Sequence, residues 1–118
     1  MYTIHEIANG LTELLSEQKF VEAYQQLFAE DAESIDPINA EQSPLKGLEN
    51  LVAREKDFLS RTDIHKITVS HPIVANSYFT LSLHMDFTIA GQDKMRVEEL
   101  CVYKVKDGKI VSQQFFIG

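Results

Sequence analysis

The chain has 118 residues, 44% hydrophobic and 25% charged, which suits one globular domain with its own core and excludes a disordered chain. The 18 acidic residues against 11 basic ones leave a net charge of −7, which disfavours nucleic acid, whose binding rests on neutralising phosphates, and an anionic membrane surface. Cys101 is the only cysteine, so no internal disulfide can form and a reducing, cytoplasmic setting is expected. No signal peptide is visible, and no stretch approaches the roughly 20 apolar residues of a membrane span.

Ile4, Ile7, Ala8, Leu11, Leu14 and Leu15 recur at helical spacing, with His5, Glu6, Asn9 and Glu13 between them, which predicts an amphipathic helix with one buried stripe. A break over 16–19 precedes a second apolar face, Phe20, Val21, Ala23, Tyr24, Leu27 and Phe28, where Phe20 and Tyr24 read as core. An acidic turn is expected after Leu27-Phe28, and then a short extended segment ending in Asp36-Pro37, because proline biases the residue before it away from helix. Residues 38–46 are turn-like, punctuated by Asn39, Ser43 and Pro44. Leu48, Leu51, Val52, Phe58 and Leu59 form a third helical stripe, and Glu55 falls on that stripe, an unusual place for a carboxylate.

After Arg61 the apolar period changes from about 3.6 to 2. Residues 65–74 read as a strand with an edge or bulge at Pro72. Residues 78–90 make the clearest strand, with Phe79, Leu81, Leu83, Met85, Phe87 and Ile89 on one face and Thr80, Ser82, His84, Asp86 and Thr88 on the other. A turn over 91–93 leads to strands over 95–105 and 109–117, joined by Asp107-Gly108, a strong hairpin signal. Helices followed by an antiparallel sheet, with no linker between them, give an α+β layout in one domain over 1–118.

That order, with LFAEDA and then Asp36-Pro37 after the second helix, resembles the nuclear transport factor 2 superfamily, most closely its SnoaL-like and ketosteroid-isomerase-like branches. The resemblance implies helices packed in a strongly curved antiparallel sheet, a cone whose open end is a small-molecule pocket. It sets Asp36 on the position of the isomerases' general base. It sets Thr12 and Cys101 where those enzymes keep their two oxyanion donors, so steroid isomerisation of the known type is not expected. It further implies a cavity lined by Glu55, Ser82, His84, Asp86, Glu99, Cys101, Tyr103, Gln113, Phe115 and Ile117. The opposite sheet face would carry Leu83, Met85, Phe87, Leu100, Val102 and Phe116, which a second copy would cover as an isologous homodimer.

Each of these residues also has a plainer reading. Asp36 beside proline is common in solvated turns. Ser82, His84 and Asp86 share one strand face, which is either the cavity wall or the wet side of a half-exposed sheet. Glu55 is either a pocket group or a helix-surface residue. Cys101 lacks a basic neighbour and reads as packing rather than a nucleophile. Lys104, Lys106 and Lys109 read as a solvated edge. His71, His84, Asp86 and Glu99 are of metal-ligand type but scattered, without a local ligand signature, and no metal or other cofactor is expected. The function expected is binding of a small apolar or carbonyl-containing molecule. The chemistry expected is isomerisation, cyclisation or dehydration, with Asp36 as proton acceptor and His84 as its polar partner. The alternative is a non-catalytic ligand-binding or dimeric scaffold module of the same fold.

Overall fold

The computed structural model describes residues 1–37 and 40–118. Ile38 and Asn39, at the start of the turn-like stretch, lie outside the described residues. Helix α1 spans Ile4–Ser16 and buries Ile7, Ala8, Leu11 and Leu15. It starts at Thr3, whose side chain accepts from the Glu6 N–H while Glu6 accepts from the Thr3 N–H, satisfying helix-end donors that otherwise lack partners. Gln18, in the left-handed region at φ 62°, turns the chain into α2, Phe20–Leu27.

Strand β1, Phe28–Ile35, follows α2 directly. The acidic turn expected there does not exist: Glu30 and Asp31 lie within β1, where the pairing register shifts between Phe28 and Glu33. A bulge of this kind places extra residues in a strand without ending it, so a polar pair that reads as a turn is carried inside the sheet. A short 3-10 turn, Ala40–Gln42, and strand β2, Leu45–Lys46, lead to α3, Leu48–Ser60. Strand β3 covers Thr62–Val69 and β4 covers Ile73–Ala75. The single strand expected over 65–74 is therefore broken ahead of Pro72, which has no N–H to donate to a ladder. Long strands β5, Tyr78–Ile89, β6, Lys94–Lys106, and β7, Lys109–Phe116, complete the chain. Asp107 and Gly108 both have positive φ, 52° and 74°, as a two-residue hairpin turn requires.

The sheet runs in the order β2-β1-β7-β6-β5-β3, with β4 paired to β5. All neighbours are antiparallel except β1 and β7, which run parallel. The sheet is curved and unclosed, and the helices fill its concave side in an α+β arrangement. There α1 packs on β3 and β5, and α3 packs on β1 and α2. Phe28, Phe79 and Tyr103 cluster on the inner face, with Phe79 and Tyr103 stacked at 4.8 Å between ring centres, and Tyr24 of α2 joins them at 4.7 Å from Phe28. Among the described residues, no helix is long and apolar enough to cross a membrane.

Candidate functional site

The open end of the curved sheet holds a cavity of about 380 Å³, at the small end of the range for ligand sites. Its place follows from strand pairing. In an antiparallel ladder, directly opposed residues share a face. Leu83 opposes Glu99, Leu81 opposes Cys101 and Phe79 opposes Tyr103. Across the next ladder Cys101 opposes Phe115 and Tyr103 opposes Gln113. These residues therefore share the concave face, and Glu99, Cys101, Tyr103, Gln113 and Phe115 line the cavity. Asp36 joins them from just past the end of β1, where Ile35 pairs with Gln114. Its N–H donates to Ser43 Oγ at 3.1 Å. Glu55 reaches the same cavity from the α3 stripe.

The other expected wall is displaced. Ser82 opposes Leu100, His84 opposes Glu98 and Asp86 opposes Arg96, so Ser82, His84 and Asp86 lie on the convex face of β5 and do not line the cavity. The cavity wall from this strand is Leu83, Met85, Phe87 and Ile89, the first three of which were expected on the dimer face. The reason is geometric. A strand's alternation defines two faces, and the faces of β5 are tied to those of β6 by pairing odd-numbered residues with odd-numbered ones. His84 therefore cannot meet Asp36 across the cavity. It contacts Asp86 instead, with Nε2 3.5 Å from Oδ1, and Arg96 Nε donates to the same oxygen at 3.1 Å. Burial pushes the Asp86 carboxyl up, but the Arg96 hydrogen bond and charge, with Lys94 and His84, outweigh it and hold it below the usual range. Ile117 is also misplaced. Strand β7 ends at Phe116, so the alternation stops, and Ile117 lies in an adjacent open cleft beside Asp36 and Phe115.

The electrostatics of the cavity are those of crowded acids in a half-dry wall. Burial raises the Glu55 carboxyl to about 7, against the opposing pull of the Arg54 charge. Burial raises Glu99 to about 7 as well, reinforced by the Asp36 and Glu55 charges. Both can therefore hold a proton near neutrality and give it up. Burial and the neighbouring Glu99 push the Cys101 thiol up, and its Sγ donates to Glu99 Oε1 at 3.9 Å. Cys101 is thus a neutral packing thiol with one weak donor. Thr12 does not face the cavity, because its hydroxyl donates to the Ala8 carbonyl at 2.8 Å.

Four polar groups of the wall, Tyr24, Arg54, Asp57 and Arg61, were not singled out as site residues from sequence; Asp57 and Arg61 pair with each other at 3.3 Å in solvent. Tyr24, expected as core, is buried but also lines the cavity; burial and the Glu55 charge raise its phenol, so it stays protonated. Gln113, with its amide nitrogen assigned inward, donates to Tyr24 Oη at 2.7 Å and to Ser34 Oγ at 3.0 Å. Arg54 Nη2 donates to the same Ser34 Oγ at 2.9 Å. The signal for Arg54 was present. It stands three residues after Leu51 and four before Phe58, on the edge of the α3 apolar stripe beside Glu55. Among the described residues, no group of three or more His, Cys, Asp or Glu is placed to hold a metal ion.

The fold has counterparts among solved structures. A Mesorhizobium loti protein named as a SnoaL-like polyketide cyclase is 28% identical, with 98% of this chain and 99% of that one covered and a TM-score of 0.91. A Catenulispora acidiphila protein of ketosteroid-isomerase-like fold, solved with trimethylamine, is 18% identical over 98% of this chain and 88% of that one, with a TM-score of 0.75. An epoxide hydrolase from M. tuberculosis is 11% identical over 95% of this chain and 80% of that one, with a TM-score of 0.73. The last two show the shared fold alone. No curated protein matches the sequence at a significant level. The family model for the SnoaL-like domain matches residues 2–117, nearly the whole chain, and the chain belongs to that family.

Proposed function

We propose that this domain binds a small carbonyl-containing molecule in the cavity and moves a proton on it, in an isomerisation, cyclisation or dehydration. The observation that carries this reading is the meeting of Asp36, Glu55 and Glu99 in one cavity with a largely apolar wall. Proton transfer between carbon and oxygen needs a base and an acid whose proton affinities lie near the working pH. Asp36 is the acceptor. Glu99 and Glu55 are the acids, since burial, reinforced at Glu99 by the Asp36 and Glu55 charges, keeps a proton on them up to about pH 7. Leu83, Met85 and Phe87 supply the apolar body of the site. The polyketide cyclase in the M. loti relative's name, which also carries carbohydrate phosphatase in brackets, agrees with a carbonyl substrate.

The test does not need the natural substrate. Small aryl and cyclic ketones are incubated with the protein in D2O, and loss of the α-proton signal is followed by NMR. Wild type should accelerate exchange for at least one of them, and Asp36→Asn should not. Full exchange by Asp36→Asn sinks the base assignment.

A binding module without turnover is the second reading. Its specific support is that Thr12 is turned to its own helix and Cys101 offers only a thiol. A tight ketone ligand that never exchanges its protons would favour it. In either case we infer a homodimer through the convex sheet face, where Leu100 and Phe116 oppose each other and are 45% and 49% exposed. Phe116→Glu should then halve the solution mass. An unchanged mass for a wild-type monomer removes the pairing.

A further inference from the structure

Arg54 is a half-buried cation of the cavity wall, and its own fold does not use it fully. Nη2 is taken by Ser34. Nη1 is shut off from bulk water and has no hydrogen-bond partner among the described residues. No carboxylate of the described residues lies within ion-pair distance of the guanidinium. A buried donor left unmade costs roughly 1–3 kcal/mol, more for a charged group, so a purely structural arginine would be expected to carry an acidic partner. Among the described residues, the groups that hold this one are neutral hydroxyls, Ser34 Oγ and the Tyr24 phenol.

The pairing registers give the cavity a direction. Ser34 pairs with Gln113, and Gln113 with Tyr103, so Arg54 marks one end. Leu83 and Glu99 lie midway along the β5-β6 ladder, near the level of Asp36. The other end is Phe87 opposite Met95, with Phe58 of α3 packed on Phe87 at 5.7 Å. A cation without a carboxylate partner therefore stands at one end, the proton-carrying acids in the middle and aromatic side chains at the other, where Arg61 is already paired with Asp57 in solvent.

We propose that Arg54 anchors the carboxylate of an amphipathic substrate whose apolar body runs toward Phe58 and Phe87. The carbons next to that carboxylate then lie beside Asp36 and Glu99. This rests on the reading of the cavity as a proton-transfer site and names its substrate class, an aryl or alkyl carboxylic acid. A planar guanidinium holds a carboxylate through two parallel N–H donors. A phosphate would bring a second negative charge against Asp36 and the two glutamates, which favours the monoanion.

The probes are 3-phenylpropanoate, 3-phenylpropanamide and phenyl phosphate, titrated calorimetrically into the whole chain at pH 6.5, where an ordinary carboxylic acid is ionised. Wild type should bind the acid at least tenfold more tightly than the amide. Arg54→Gln should abolish that preference, and Arg54→Lys, which keeps the charge, should retain part of it if Arg54→Gln fails to fold. Equal affinities in wild type, no binding of the acid, or a preference that survives Arg54→Gln overturns the anchor. Tighter Arg54-dependent binding of phenyl phosphate overturns the carboxylate class. The two proposals fail separately. Loss of the acid preference with Asp36-dependent exchange intact removes only the anchor. A preference that stands while Asp36→Asn still exchanges protons removes only the base.

Discussion

Strand β5 sets an apolar row, Leu83, Met85 and Phe87, against a polar row, Ser82, His84 and Asp86, and the two meet opposite surroundings. The apolar row faces the cavity and its acids. The polar row faces outward, where Asp86 is tied up by Arg96 and His84. The active-looking residues thus stand on the quiet side, and the residues that resemble packing form the binding wall. A carboxylate in this protein is informative when its neighbours are other acids in a dry wall, as for Glu99, and uninformative when an arginine covers and neutralises it on the outer face, as for Asp86.

The largest expected effect separates the two sides by chemistry. Asp36→Asn should lower ketone proton exchange by roughly 10²–10⁴-fold, the usual worth of a positioned base. Asp86→Asn should leave the exchange rate unchanged. A loss of similar size in Asp86→Asn would return the convex face to the site.

Next comes stability. Leu83→Ala should cost roughly 2–5 kcal/mol in urea unfolding, as buried leucines do, because Leu83 is 6% exposed on the cavity side of the core. Ser82→Ala, one residue away on the open face, should stay within about 0.5 kcal/mol. Equal costs would mean that the convex face is also covered in the isolated chain.

A smaller effect reads the acids directly. Unfolded glutamates titrate near 4.5 and Glu55 and Glu99 near 7 in the fold. Between those values the folded state holds more protons, so stability falls as pH rises from 4.5 to 7 and levels off above it. The loss should be on the order of 1–2 kcal/mol for the pair, reduced by their partial exposure. Glu55→Gln with Glu99→Gln should flatten that slope. A slope unchanged in the double variant would place the acids in open solvent. The smallest effect is at His84, where Ala should change stability by no more than about 0.5 kcal/mol and leave exchange intact.

Much of the fold was legible because burial repeats at the period of the element. The stripes of α1 and α3, the period-2 alternation after Arg61 and the Asp107-Gly108 turn all describe local geometry, and each is where the sequence sets it. Asp36 and Glu55 were legible as cavity residues for different reasons, the one through its family resemblance and the other as a charge on an apolar stripe. Arg54 was overlooked because a charge at a stripe's edge is equally at home in solvent. Ile117 was carried past the end of a strand whose alternation it no longer obeyed.

The sequence by itself determined the helices, the long strands β5, β6 and β7, the α+β order and which residues share a face within those strands. Each of these depends on contacts between residues near in the chain, or on a periodicity every segment carries alone. Only the tertiary structure decided which face of β5 is inside. That choice depends on which residue of β6 stands opposite Leu83, and a ladder's register joins two segments at once. With Leu83 opposite Glu99, the apolar row and the acids share one cavity, and His84 is carried to the other side of the sheet.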